Sequence, residues 1–141
     1  MQRMTDEEYH AFLHAGPRTA KLATVRPDGR PHVAPVWFAL DGDAILFTTW
    51  HTTVKAANLR HAARVCLCLD DERPPYAFVI IEGTAQISDD MAQLQHWARH
   101  IAERYMGAER ADAYGQRNGV PGELLVRVTP THIVAQTGIA D

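Results

Sequence analysis

Alternation of apolar and polar side chains along the chain predicts a protein built mostly from short β-strands. A strand over 19–26 leads into the turn 27–30, and a second strand over 31–40 leads into the turn 41–43 and a third strand. Both turns hold Asp and Gly where tight hairpins need them, so we expect an antiparallel meander of three strands. Strand periodicity returns over 64–69, 76–88, 123–128 and 132–137.

Helical periodicity occupies three or four segments between these strands. Each has a recognisable start, because a hydroxyl or carboxylate side chain precedes the first apolar turn and can accept its free backbone N–H groups. A Gly in left-handed conformation is the usual stop. The first three segments follow the capping box of Thr5 and Glu8, the cap Thr53 and the cap Asp89. The third helix ends at Gly107, and a short fourth piece covers 108–114 and ends at Gly115.

The two-sided character of several strands favours a closed sheet. Between 64 and 69, one strand face carries Val and Leu and the other carries Cys66 and Cys68, so both faces are apolar and we interpret the cysteines as small core residues. Pro35 lacks an N–H and predicts an edge strand or a bulge. Gly83 predicts a bend in the strand over 76–88. A small antiparallel barrel covered by helices is the natural closed form.

Composition narrows the function classes. The 141 residues are sufficient for one domain, and the net charge of -3 gives no reason to expect nucleic acid as a partner. No apolar run reaches the length of a membrane span, and the N-terminus lacks the form of a signal peptide, so we expect a cytoplasmic protein with no membrane partner. The single serine, Ser88, leaves little basis for serine-nucleophile chemistry.

The stretch 45–60 has the layout of an anion site. A strand ending in Thr48 and Thr49 passes through a short turn into a helix that begins with Thr53, Val54 and Lys55. A capped helix start exposes N–H groups with partial positive charge, and a lysine adds a full charge, which suits phosphate. Strand–turn–helix junctions of this kind are also common without a ligand. Only two lysines occur in the chain, however, which makes a lysine here less ordinary.

Histidines offer a second candidate chemistry. His96 and His100 lie four apart on a helix, a spacing that can bind metal, but no third ligand is evidently placed to join them, so we predict no metal site. His51 lies in the turn beside Lys55, where it could contact a ligand or donate a proton, although an exposed turn histidine is the simpler interpretation.

An ordered set of segments resembles a known family. The segments are LATVRPDGRPHVAPVWFALDG, FTTWHTTVKAANLRHAARV and YAFVIIEGTAQI. In this order and spacing they are similar to the split β-barrel superfamily of pyridoxamine-phosphate-oxidase-like flavoproteins, and more closely to its F420-dependent branch. The resemblance implies one split-barrel domain over 1–141: mainly β with α (α+β), an antiparallel six- to seven-stranded split β-barrel covered by three to four helices.

The resemblance also implies a cofactor site. In relatives, the positions that match Thr53 and Lys55 hold the cofactor phosphate, and Asn58 follows in the next turn. Family members are homodimers with the cofactor across the subunit interface. The remaining implied positions are Thr48 and Thr49 against the phosphate or ribityl chain, Pro35, Val36 and Trp37 beside the ring, and Tyr76 and Phe78 approaching the ring from the other subunit.

One departure bears on the choice of cofactor. Oxidases that use flavin mononucleotide (FMN) have an Arg where this chain has Val54, so one phosphate contact is missing or comes from elsewhere, with Arg60 a candidate. The leading expectation is therefore an oxidoreductase that passes hydride from reduced F420 to a small conjugated or heteroaromatic acceptor. The alternatives are an FMN-dependent oxidoreductase of the same fold and a non-catalytic protein that binds a flavin, a tetrapyrrole or a lipid.

Overall fold

The sheet is a single antiparallel path of strands that curls until its two ends come close together. The computed structural model describes all 141 residues. In chain order the elements are β1 (Gln2–Arg3), α1 (Asp6–His14), β2 (Ala20–Val25), β3 (Pro31–Val36), β4 (Ala39–Asp41), β5 (Ala44–Trp50), α2 (Val54–His61), β6 (Arg64–Asp71), β7 (Ala77–Ser88), α3 (Met91–Met106), a 3₁₀ turn (Ala108–Arg110), α4 (Ala111–Asn118) and β8 (Glu123–Thr137).

The strand order is β3-β2-β6-β7-β8-β5-β4, with β1 added to β8, and every pairing is antiparallel. This confirms the predicted fold class, a mainly β split barrel with helices. The count of eight strands exceeds the predicted six to seven. One reason is that β1 has only two residues, too few for a periodic pattern. The last two predicted strands are one continuous strand, β8.

The predicted meander of the first three strands is wrong. The segment 31–40 breaks at Trp37 and Phe38 into β3, which pairs with β2, and β4, which pairs with β5. These two strands are the opposite ends of the strand order, yet only two residues separate them. The ends of the sheet must therefore approach each other, which closes the barrel. Phe38 is fully buried, and its burial inside the barrel favours this crossing.

The barrel interior is one apolar cluster of 20 buried residues, contributed by the inward faces of the strands and by α1 and α2. Val65, Leu67 and Leu69 of β6 belong to it, as predicted. The prediction that Cys66 and Cys68 are core residues is wrong: they lie on the outward face and are partly exposed, because no helix covers this part of the sheet.

A bulge at Gly83 confirms the predicted bend in β7. The pairing of β7 with β8 shifts register between Glu82 and Gly83. A Cβ at position 83 would lie 2.7 Å from the carbonyl oxygen of Thr129, so only Gly permits this close approach of the two strands. Pro35 lies in β3, which is an edge strand, as its missing N–H predicted.

The helix ends agree with the sequence in part. The capping box is present, with Thr5 and Glu8 exchanging hydrogen bonds of 2.9 and 3.1 Å. The cap of α3 is Asp90 rather than Asp89. The helix expected to end at Gly115 continues to Asn118 as α4. A Cβ at Gly115 would lie 3.0 Å from the Cα of Arg99, so the missing side chain permits the close contact between α3 and α4.

Candidate functional site

The turn from β5 into α2 is held by the hydroxyl of Thr53. Its Oγ1 accepts a hydrogen bond from the N–H of Ala56 (3.2 Å) and donates to the carbonyl oxygen of Trp50 (3.0 Å). The hydroxyl of Thr49 lies 2.7 Å away and donates to it. Thr53 is therefore the helix cap that the sequence predicted, and its hydroxyl is fully engaged inside the chain.

The first turn of α2 carries positive charge with no partner. The N–H groups of Val54 and Lys55 have no acceptor in the chain, as expected at a helix start. Lys55 is half-exposed and forms no ion pair. Two free N–H donors, the positive end of the helix and an ammonium group without an ion pair make a donor set that a phosphate group would fit.

The two threonines of β5 face opposite sides of the sheet. The family resemblance implies that both hydroxyls lie against the phosphate or ribityl chain, but successive side chains alternate along a strand. Thr49 points inward and is 3% exposed, and its hydroxyl donates a hydrogen bond to the hydroxyl of Thr53. Thr48 points outward and is half-buried, on the same face as Trp50. Thr48 is therefore the β5 hydroxyl on the outward face, next to the Glu123 carboxyl group.

Asn58 and Arg60 stabilise the same turn from the helix. Asn58 is 2% exposed, and its Nδ2 donates to Oγ1 of Thr24 at 3.0 Å, which ties α2 to β2. Arg60 donates from Nη1 to the carbonyl oxygen of His51 at 2.9 Å. Both side chains are occupied by contacts within the protein, and a direct contact of either with a cofactor stays a prediction.

The segment Pro35-Val36-Trp37 lies where the chain crosses from one edge of the sheet to the other. Val36 points into the core and is 6% exposed, so only its backbone can meet a ligand. Trp37 is 39% exposed. Its ring stacks on Tyr105 with centroids 4.8 Å apart and planes 4° apart. The ladder of β4 with β5 begins only at Ala39, so Trp37 belongs to the crossing rather than to a strand.

Tyr105 of α3 holds this crossing in place. Its hydroxyl donates to the carbonyl oxygen of Arg18 (2.7 Å) and accepts from the N–H of Phe38 (3.2 Å). The residues involved are distant in sequence, so no local pattern could have paired them.

Tyr76 and Phe78 lie far from Lys55 in the same chain. Phe78 is opposite Gln136, whereas Ser88, at the other end of β7, is opposite Leu125, which also pairs with Thr48. A strand rises about 3.3 Å per residue, so the ten steps from Phe78 to Ser88 correspond to roughly 30 Å along the chain. Tyr76 is 41% exposed and adopts a positive φ of 68°.

Glu123 is a site residue that the sequence analysis missed. It begins β8, directly opposite Trp50, and is half-buried. Burial raises the pKa of its carboxyl group, while the Thr48 hydroxyl and the Lys55 ammonium group oppose the rise. An acidic side chain therefore lies beside the unpaired lysine. The only local signal was a charged residue at a strand start, which carries no information on its neighbour.

The histidines are engaged in contacts of their own. Nδ1 of His51 donates to the carbonyl oxygen of Gly122 at 2.9 Å, and its ring lies 4.7 Å from that of Trp50. His96 and His100 lie with ring centroids 4.5 Å apart. No group of three or more His, Cys, Asp or Glu side chains converges in the chain. None of the helices has the length and apolar character that a bilayer crossing requires.

Together, these elements define a small antiparallel split barrel with a cationic site at its rim, next to an exposed tryptophan. The family model described as pyridoxamine 5'-phosphate oxidase matches residues 5–137, and the chain belongs to this family. No curated protein sequence gives a significant match.

Three solved structures illustrate the range of the fold. A conserved hypothetical protein from Mycobacterium tuberculosis is 28% identical with a TM-score of 0.85, covering 96% of this chain and 86% of its own. An F420 reductase is also 28% identical, with a TM-score of 0.67 and coverage of 87% and 94%. The heme storage protein HutZ of Vibrio cholerae has a TM-score of 0.74, with coverage of 98% and 100%, but at 20% identity it is similar in fold alone.

Proposed function

We propose that this protein is an oxidoreductase that uses reduced F420 to reduce a small conjugated or heteroaromatic acceptor. The observation that carries the proposal is the set of free N–H groups at the start of α2 with Lys55, which forms no ion pair, in a member of this family that also exposes the Trp37 ring. A 28% identical F420 reductase supports the choice of cofactor, as does Val54, which replaces the Arg of the FMN oxidases in the resemblance described above.

The chain's own residues bind and position the cofactor. Lys55 and the first turn of α2 hold the phosphate, with Thr48 donating from the adjacent strand. Trp37, fixed against Tyr105, forms a flat apolar wall for the ring and excludes water from one side of it. When bound, reduced F420 supplies the hydride, so the protein needs no nucleophile of its own.

We propose that the protein acts as a homodimer. The outward face of β3, β2, β6 and β7 carries uncovered apolar side chains: Val33 is 65% exposed, Val25 is 43% exposed, and Cys66, Cys68 and Ile80 are partly exposed, with the charged Lys21 and Glu82 among them. A second copy on this face would bury it. The distance between Phe78 and Lys55 within one chain supports a site to which Tyr76 and Phe78 come from the partner.

The test is a titration of purified apoprotein with F420 and, separately, with FMN, followed by fluorescence. Lys55→Ala should weaken F420 binding about 10- to 100-fold, because a charge-assisted contact to phosphate is lost. The matched control is Arg110→Ala, which removes an exposed cation from the 3₁₀ turn and should leave the dissociation constant unchanged. F420 binding that is absent, or equal in wild type and Lys55→Ala, would contradict the proposal.

Turnover separates an enzyme from a carrier. Reduced F420 mixed with the protein and a panel of quinones, enones and nitroheteroarenes should be oxidised faster than in buffer, as followed by absorbance. Tight F420 binding without oxidation by any acceptor would indicate a binding protein. Preferential binding of FMN would indicate an FMN-dependent oxidoreductase instead. Binding of hemin alone would indicate a tetrapyrrole carrier.

A further inference from the structure

Glu123 lies at the proposed phosphate site and bears directly on which phosphate the site accepts. Leu125 is the ladder partner of Thr48, so Glu123, two residues earlier in β8, is the diagonal neighbour of Thr48 on the outward face of the sheet. Diagonal neighbours in an antiparallel pair are within reach of a long side chain. The Glu123 carboxylate therefore shares one surface with the Thr48 hydroxyl and the Lys55 ammonium group.

The backbone around Glu123 is fixed to the same turn that builds the anion site. The carbonyl oxygen of Gly122 accepts two hydrogen bonds from His51, from the backbone N–H and from Nδ1, each of 2.9 Å. The N–H of Glu123 donates to the carbonyl oxygen of Val120 at 3.1 Å. The β8 start and the β5–α2 turn thus form one unit, and the carboxylate stays with the lysine.

Glu123 and Lys55 form no direct ion pair. The Lys55 charge nevertheless acts on Glu123, as its opposition to the raised pKa of that carboxyl group indicates. The two side chains sum to zero charge at neutral pH. A phosphate at the first turn of α2 would meet free N–H donors and a neutral charge pair rather than a single excess positive charge.

Charge state distinguishes the two cofactors that this family member could take. The phosphate of FMN is a monoester with a second pKa near 6, so it carries between one and two negative charges at neutral pH. The phosphate of F420 is a diester and carries one negative charge. If Lys55 were the only charged side chain at the site, it would attract the second negative charge of the monoester. With Glu123 present, that attraction is offset by repulsion between like charges.

We propose that Glu123 makes the phosphate site selective for a singly charged phosphodiester, as in F420, over a doubly charged phosphomonoester, as in FMN. The inference rests on the proposed function, and it names a specificity-determining residue for the cofactor. It also gives Val54 a physical role: a neutral side chain beside Lys55 keeps the pair balanced, whereas an arginine there would restore the excess positive charge.

The experiment compares dissociation constants of wild type and Glu123→Gln for F420, FMN and riboflavin, which has the flavin ring without phosphate. Gln keeps the shape and removes the charge. FMN should bind about tenfold more tightly to the variant, F420 less than about threefold more tightly, and riboflavin equally to both proteins. Glu109→Gln, an exposed glutamate in the 3₁₀ turn, is the matched control and should change none of the three.

The outcomes separate this inference from the proposed function. A wild type that binds F420 through Lys55, with an FMN-to-F420 ratio unchanged in Glu123→Gln, overturns the inference and leaves the proposed function intact. Equal weakening of all three ligands in a folded variant, checked by thermal melting, assigns Glu123 a structural role and also overturns it. A wild type that binds neither F420 nor FMN overturns both.

Discussion

The two faces of β5 show how one strand divides its residues between stability and function. Ile45, Phe47 and Thr49 point inward and are 3% exposed or less. On the outward face, exposure rises along the strand, from Leu46, buried against Leu94 of α3, through half-buried Thr48 to Trp50, which is 42% exposed. The anion site lies where α3 no longer covers the outward face. A sheet can therefore carry a site at its rim without interrupting its core.

The largest expected difference separates neighbouring residues on the two faces. Phe47→Ala should lower the free energy of unfolding by about 3–5 kcal/mol, because it leaves a cavity in a fully buried position. Thr48→Ala should change it by less than about 0.5 kcal/mol. Urea denaturation of both variants measures the contrast. Similar losses for the two would mean that the outward hydroxyl is part of the structural core.

A smaller effect is expected at the rim, where Gly122 lies under Trp50. Gly122 has a φ of 97°, and a Cβ there would collide with the Trp50 ring. Gly122→Ala should therefore destabilise the protein by about 1–3 kcal/mol through strain and overpacking. Gly29→Ala is the control: its φ is 88° but no atom lies within 4 Å of the added Cβ, so it reports the conformational cost alone. Equal losses of stability in the two variants would show that the Trp50 ring does not contribute to the cost at Gly122.

The helix cap connects the two faces, since Thr49 inside the barrel donates to Thr53 at the site. Thr53→Ala should cost about 1 kcal/mol in unfolding free energy and weaken F420 binding, because the first turn of α2 frays. Thr53→Ser keeps the hydroxyl and should preserve both properties. Thermal melting and the fluorescence titration provide the two readouts. A Ser variant as impaired as the Ala variant would rule out a capping role.

The smallest effect concerns the charge on the outward face. Burial raises the pKa of Glu123 above its ordinary value of 4.5, so the native state holds this proton more tightly than the unfolded state does. The wild type therefore loses stability as pH rises through the range just above 4.5. Glu123→Gln should melt higher than wild type at pH 7, by on the order of 1–2 °C, and no higher at pH 4. The same difference in melting temperature at both pH values would exclude the titration of Glu123 as its cause.

Much of the fold was predictable because its signals are local. The capping box of Thr5 and Glu8, the cap Thr53 and the bulge at Gly83 each depend on a few consecutive residues whose chemistry has one structural use. The family resemblance added the split-barrel class and the predicted cofactor site. Predictions of helix ends failed where two neighbouring residues could play the same part, as Asp89 and Asp90 can at a helix cap. They also failed where a glycine permits packing between helices rather than ending a helix, as at Gly115.

The amino-acid sequence by itself determined the alternation that makes the strands and the placement of Lys55 and Thr53 at a helix start, because neighbours along the chain decide both. Only the tertiary structure decided that β3 and β4 lie at opposite edges of the sheet, that Tyr105 holds Trp37, and that Glu123 faces Lys55. Those contacts join residues far apart in sequence. They form because burying Phe38 and the rest of the core in one closed barrel is more favourable than any local pairing.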